Sequence, residues 1–505
     1  MYASSRRSHW RLFASTITLL VCAAAIFVTV TQAKAVRASA SGLSIRQLSS
    51  DPYTNFATQH QTQVEPGSFA SGSTLVTAFQ TGRGYTAGSS NIGWATSTDK
   101  GKTWKNGFLT GITVNAGGPY RRASDSVVAY DAAHKVWLIT SLGVPFSGGY
   151  DVLVNRSTDG GLTWTSASPI ATSGPTDSLD KDWITCDSTA SSPFYGHCYA
   201  QWDNAFHQGV VQMSTSSDGG QTWSAPASPP NQTFAGIGGQ PVVQPSGKVI
   251  VPVYGADLKT GAASVYAFSS TDGGKSWQAP VVVSAVAGHN ATSSYRGGIL
   301  PSASVDGSGK VYVVWSDCSF EDSCTADDIV LSTSSDGTTW SALQRIPLDA
   351  IGSGVDHFTA AITTDPATGG AQAHLALTFY EYLNTACFTF NCQLVVGFAS
   401  STNGGTSWSG NTLIGKPMQL AWLADTDSGF MTGDYIAISL LGDDAFPFFA
   451  EATAPSGGHL NEAIYTTKDA DLKVTGGTKS SAGEHPVVKA SPVAHPTAPS
   501  LPASN

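Results

Sequence analysis

Charge is scarce in this chain. Only 12% of its 505 residues are Asp, Glu, Lys or Arg, and 26 basic against 36 acidic residues give a net charge of −10. No basic face is available to neutralise phosphates, which excludes nucleic acid as a partner. Apolar runs long enough to span a membrane are also lacking, apart from Leu12 to Val30 near the N-terminus. Helix formers are few, whereas Gly (53 residues), Ser, Thr and Val are abundant. That balance suits many short strands joined by tight turns.

The N-terminal run has the layout of a targeting segment. Arg6, Arg7 and Arg11 flank it, and Ala33-Lys34-Ala35 offers a cleavage site of small residues. Residues 1–35 therefore read as a signal peptide, or as an anchor if the run at 12–30 is retained, and export follows. Membrane contact is expected only through that segment. Past it remain six of the seven cysteines, in three close pairs: Cys186 with Cys198, Cys318 with Cys324, and Cys387 with Cys392. Even number and local pairing predict three disulfides in an oxidising compartment, and sets scattered in this way do not converge on a metal. From Gly476 to Asn505 the chain turns rich in Pro, Ala and Ser and reads as a disordered tail.

Between these ends one short phrase recurs. Ser97-Thr98-Asp99-Lys100-Gly101-Lys102-Thr103-Trp104 has close copies ending at Trp164, Trp223, Trp277, Trp340 and Trp408, with gaps of 60, 59, 54, 63 and 68 residues between the tryptophans. A period of that size marks a repeat architecture. Within the octet the Asp can fold its carboxylate back onto backbone N–H groups while the Gly takes a positive φ. An alternating apolar stretch such as Val152-Leu153-Val154 leads into each copy, so the octet is a β-hairpin turn, with the Trp free to pack between neighbouring sheets. Two copies are worn: the one around Asp336 is a residue short, and Asn403 stands where the last should have Asp.

The octet resembles the Asp-box, or bacterial neuraminidase repeat, of the sialidase superfamily. Two further strand-like stretches precede each box, beginning near Glu65, Ser124, Lys181, Gly239, Pro301 and His357, and a seventh set without a box begins at Gly433. The expectation is an all-β propeller over 43–475, built from four-stranded blades with Asp-box hairpins, seven in number with six as the alternative. Leu43 to Leu48 would supply the strand that closes the ring against Asn461 to Thr467. Known sialidases have six blades, so the seventh unit departs from the family.

In such a ring the boxes lie on one face and the innermost strands begin on the other. Those starts carry Glu65; Arg121, Arg122 and Asp125; Asp180, Lys181, Asp182 and Trp183; Gln240; Arg296; Asp356 and His357; Asp434 and Tyr435. A ring of charge at a channel mouth is the candidate site. The resemblance implies an arginine triad for a substrate carboxylate, an Asp acid/base, and a Tyr nucleophile assisted by a Glu. Transferred to this chain, Tyr435 is the nucleophile, Glu65 the base, Asp125 or Asp182 the acid, and Arg121, Arg122 and Arg296 the triad. Trp183, Gln240, His357 and Asp434 would complete substrate binding. The family's Arg-Ile-Pro motif before the first blade is missing, since Arg345-Ile346-Pro347 follows the fifth box and reads as a strand edge. Tyr380 and Glu381, as strand neighbours, would point to opposite faces. Glu321, Asp322, Asp327 and Asp328 raise the question of calcium, but their spacing matches no known loop, and no metal or cofactor is expected. The implied function is a secreted, retaining exo-sialidase-type hydrolase acting on terminal sugars of glycoconjugates. The alternative is a non-catalytic propeller that binds glycans or surface proteins.

Overall fold

A computed structural model describes residues 43–289, 294–383, 387, 391–468, 471–480 and 482–483. The leader assigned to 1–35 and the tail beyond 483 lie outside the described residues. Among the described residues no helix is long and apolar enough to cross a membrane.

The strands form antiparallel sheets in chain order, and the fold is a β-propeller. Each unit has an innermost strand: Gln63–Ser71, Arg122–Asp131, Leu179–Cys186, Val242–Val243, Ser302–Val305, His357–Thr364 and Ala437–Leu441. Contacts link each of these to the next, and Gln63–Ser71 also meets Ala437–Leu441, so the ring closes on itself. The fourth strand of the last unit comes from the other end of the chain, where Ile45 pairs with Thr467 and Gln47 with Tyr465. Leu48, just beyond this strand, is buried with Phe79, Phe446 and Phe448 in the closing interface. Other interfaces are apolar in the same way; Leu138, Val154, Ile184 and Trp202, for example, join the second and third units.

The boxes are hairpins between third and fourth strands. In the first, the Ser97 hydroxyl donates to Asp99 Oδ1 and accepts from Gly101 N, while Thr103 donates to Asp99 through both its N–H (2.9 Å) and its hydroxyl (2.6 Å). The Thr103 bonds lead in holding the Asp99 carboxyl down at about 2. Each box also leans on the preceding unit. A Cβ on Gly101 would lie 2.5 Å from the Phe446 ring, and one on Gly220 2.8 Å from Leu138, so glycine there serves the contact as well as the left-handed turn. Thr96 and Arg156 donate to the box carbonyls of Gly161 and Gly219 at 2.7 Å, which adds polar links between blades.

The sixth box inverts one bond. Its Asn403 Nδ2 donates to the Ser407 hydroxyl, where Thr103 donated to the carboxylate of Asp99. The freed Ser407 hydroxyl donates to the Gly477 carbonyl at 2.6 Å. Lys479–Ser480 then pairs with Ser407–Trp408, and Ala482–Gly483 adds to the edge of the fifth sheet. The boundary expected at 475 thus falls later, because this C-terminal strap still has sheet edges to pair with. It leaves Trp408 fully buried, whereas Trp104, Trp164, Trp223 and Trp340 stay partly exposed.

All three expected disulfides are formed. Cys318–Cys324 and Cys387–Cys392 tie loops between second and third strands, opposite the boxes; Cys186–Cys198 joins the paired ends of first and second strands on the box face.

Ring closure predicts that Leu48→Ala lowers global stability by about 2–5 kcal/mol, the usual range for a truncated core leucine, with one cooperative transition in denaturant. A loss under about 0.5 kcal/mol would mean that the N-terminal strand does not hold the ring. For the strap, Asn403→Asp should return the Ser407 hydroxyl to the box carboxylate and release Gly477. Amide exchange over 472–480 should then speed up while the other boxes are unaffected; unchanged exchange would disprove the inverted bond.

Candidate functional site

Four innermost strands share a defect near their start. The ladder slips between Val64 and Gly67, Ser124 and Val127, Asp180 and Trp183, and Phe358 and Ala361. Inside each bulge one residue takes a left-handed φ: Glu65 (56°), Asp125 (49°), Lys181 (49°) and Thr359 (50°). For side chains other than glycine this conformation costs about 1–3 kcal/mol. A bulge leaves its extra residue unpaired and re-aims the side chain. Three of these residues converge on the ring axis.

Lys181 Nζ lies 3.1 Å from Asp125 Oδ2, 2.5 Å from Asp434 Oδ2 and 3.9 Å from Glu65 Oε1. These carboxylates come from the second, seventh and first units. Arg296 forks onto Asp434, Nε to Oδ1 at 2.9 Å and Nη2 to Oδ2 at 2.7 Å. Glu65 Oε1 accepts from Asp434 N at 2.9 Å, and its other oxygen accepts from Gln80. All are buried except Arg296, whose side chain is 25% exposed and forms the solvent side of the cluster.

This arrangement separates the carboxylates. Burial, reinforced by Asp125, pushes Glu65 up to about 8, so it carries a proton at neutral pH. Burial acts in the same sense on Asp434, but Arg296 and then Lys181 overcome it and hold that carboxyl well below its ordinary range. Lys181 resists burial through Asp125 and Asp434 and stays firmly charged. Asp182, one residue on, is buried with neither oxygen well hydrogen-bonded, and burial pushes it far up.

Tyr435 is buried beside this cluster. Its phenol donates to the Ser126 carbonyl at 3.3 Å, and its ring meets Trp183 edge-on at 5.4 Å between centroids. Burial, then Glu65 and Asp125, raise the phenol well above its ordinary value. Glu65, Asp125, Asp434, Arg296, Tyr435 and Trp183 therefore belong to one neighbourhood.

The expected arginine triad is not assembled. The Arg122 guanidinium is taken by the Ala87 and Ala57 carbonyls, both at 2.8 Å, and by Thr86, while Arg121 faces solvent. His357 is fully buried, 3.4 Å from Glu381 and 3.3 Å from the Asp327 carbonyl, and Gln240 accepts from Ala303 N. These two act between blades. Tyr380 bonds Ala450 while Glu381 accepts from Asn411, the opposite facing expected of strand neighbours. Arg345 is indeed at a strand edge, and its guanidinium bridges Asp328 (2.7 Å) and Asp349. Asp328, Asp349 and His357 bring ligand atoms within 4.8 Å of one another, but that arginine already supplies the cation. Glu321, part of the calcium question, spends both oxygens on Gly352 N.

Two contributors lie outside the expected set. Arg83, at the end of a second strand, is buried under the cluster; burial and Arg296 pull it down to about 10, and it donates to the Gly84 and Gly88 carbonyls. Gln80 holds Glu65 from the same strand. Neither sits at an innermost strand start, so no positional signal marks them. Arg296 arrives by a long route: Ser294 and Arg296 bond Phe430, and Tyr295 bonds Thr432 at 2.7 Å, so the loop before the fifth unit crosses to the seventh.

No curated protein matches the sequence. The BNR repeat-like domain family matches residues 147–364. Among solved structures, an ulvan lyase of a polysaccharide lyase family is similar in fold, with a TM-score of 0.50 and 11% identity, covering 85% of this chain and 97% of that one. The NanB sialidase of Streptococcus pneumoniae gives 0.42 and 14%, covering 85% and 71%, and the α-L-arabinofuranosidase of Fusarium graminearum gives 0.42 and 12%, covering 67% and 92%. The six boxed hairpins on a closed propeller and the family match over 147–364 together support a BNR-type repeat fold.

Proposed function

We propose that this protein is a secreted glycan-cleaving enzyme, a retaining glycoside hydrolase of sialidase type, acting on terminal sugars of glycoconjugates at the channel mouth opposite the boxes. One observation carries the reading: two carboxyl groups held by a shared lysine neighbourhood are driven to opposite protonation states, Glu65 up to about 8 and Asp434 well down. Such a split is how one site keeps both an acid and an anion at neutral pH.

In this proposal Glu65 donates a proton to the leaving glycosidic oxygen, which replaces the base role expected from the family pattern. Asp434, held ionised, stabilises positive charge developing on the sugar ring. Tyr435 attacks the anomeric carbon, and its proton passes to Asp125, the residue before the Ser126 carbonyl that the phenol now contacts. Trp183 keeps the phenol ring in place. Asp182, which burial pushes far up, takes no part in the transfer.

A binding propeller without catalysis is the second reading, favoured by the pairing of Lys181 and Arg296 with protein carboxylates rather than with solvent. The two separate on a panel of aryl sialosides, arabinofuranosides and other aryl glycosides. Under the hydrolase reading Glu65→Gln, which keeps an acceptor for Asp434 N, folds normally and loses about 10²–10⁴-fold in turnover. Wild-type kcat/KM should decline as pH rises through about 8, where Glu65 gives up its proton. Tyr435→Phe should fold and be inactive. Full activity in Glu65→Gln removes the proposed acid. Absence of turnover on the whole panel, with glycan-array binding abolished by Arg296→Lys, makes the protein a lectin-like propeller.

A further inference from the structure

Exposed apolar side chains are not scattered over this molecule. The loops joining second to third strands open on the mouth face, since the boxes join third to fourth strands on the other. Tyr85, Phe146, Phe206 and Leu258 stand in these loops in four consecutive units, and Leu383 in the sixth. Phe56, from the segment before the first unit, joins them beside Ala57, whose carbonyl holds Arg122. Each is at least 40% exposed, whereas the box face offers only Tyr195, at 36%, among the large apolar residues described there. In the fifth unit the equivalent loop is closed by Cys318–Cys324 and Phe320 is buried; in the seventh it is the turn at Gly457 and Gly458.

A single exposed phenylalanine needs no explanation, but the same position used in unit after unit does. These side chains add nothing to the core. The boxes repeat because the ring needs them; the mouth-face tips repeat without any such structural demand. They trace an arc from the first unit to the fourth around a polar, charged centre.

We infer that this arc binds an extended glycan chain of several sugars, laid across units one to four with its reacting end toward the channel mouth. Sugar rings present an apolar C–H face and a hydroxyl edge. Rigid aromatic faces stack on the first at small entropic cost, and three of the four arc residues are aromatic. The second finds hydrogen-bonding groups in the same loops, such as His207 beside Phe206 and Thr86 beside Tyr85. A bilayer fits less well: the net charge of −10 repels anionic lipid, and the charged centre would have to be desolvated. A protein partner would call for a continuous apolar patch at the centre, with polar groups at the rim, and here the order is reversed.

The inference rests on the proposed function only for the ligand being a glycan, not for catalysis. Its test is affinity electrophoresis of the full chain in gels containing polysialic acid, alginate or arabinan, with the aryl glycosides above run in parallel. Wild type should be retarded by at least one polymer, and free monosaccharide should compete at least tenfold more weakly than the polymer. Phe146→Ala/Phe206→Ala, with its unfolding midpoint unchanged, should bind that polymer at least tenfold more weakly and turn over small aryl glycosides as wild type does. Glu65→Gln should bind it normally. Polymer binding without any turnover sinks the catalytic reading and leaves this one standing. Equal binding by the double variant, no retardation of wild type by any polymer, or vesicle binding that the double variant loses would overturn it.

Discussion

An ammonium group at the axis of a propeller is the demand around which this mouth is organised. Burying Lys181 without partners would cost several kcal/mol, and only carboxylates close to it can offset that. Asp125 and Asp434 supply them from two other units, the protonated Glu65 of the first unit stands close by, and the loop carrying Arg296 balances the negative charge left over. Second, third and seventh units are thus tied by charge, and the first by the bond from Asp434 N to Glu65, at the very place where the ring joins its two ends. Removing Lys181, Asp125 or Asp434 would leave buried charge uncompensated, so the strained bulges at Glu65, Asp125 and Lys181 persist because the network over-determines them.

The two faces divide the work. On the box side the same short hydrogen-bonded turn recurs, and each copy presses a glycine, and several a carbonyl, against the preceding blade, so sequence repetition there reflects a repeated mechanical need. At the axis on the mouth side the repetition is broken. Each innermost strand starts with different residues and the loops vary in length, which lets a pseudo-symmetric frame carry an asymmetric set of charges. The worn copies follow this logic. Asn403 appears in the one box where the neighbouring hydroxyl is wanted elsewhere, to hold the C-terminal strap.

Much of this was legible in the chain. The octets announced hairpins, the cysteine spacing announced the disulfides, and counting strands from one box to the next located the closing strand and the starts of the innermost strands. What could not be read was which way a side chain turns once the ladder slips. Glu65, Asp125 and Lys181 sit where simple alternation would be trusted, yet an added residue in each strand reverses the facing, and no local propensity marks a non-glycine residue for a left-handed φ. Arg122 shows the converse error. It stands at a strand start as expected, but nearby carbonyls of the loops around Ala57 and Ala87 capture its guanidinium before it reaches the axis. Arg83 and Gln80 were invisible for a different reason: they reach the cluster from second strands, whose contacts depend on the depth of the ring.

Electrostatic asymmetry follows from that same geometry. Glu65 and Asp434 are chain neighbours of nothing in common, yet they are bonded to each other through the Asp434 amide and share Lys181. Their difference comes from one fork. Arg296 closes on both oxygens of Asp434 and leaves Glu65 the more distant partner of the lysine, with a backbone N–H and an amide as its other contacts. Two neutral donors and an ammonium 3.9 Å away do not compensate full burial beside Asp125, and the proton stays on Glu65. A loop that crosses from the fifth unit to the seventh therefore decides which carboxyl at the mouth keeps its proton, although it contributes no carboxyl of its own.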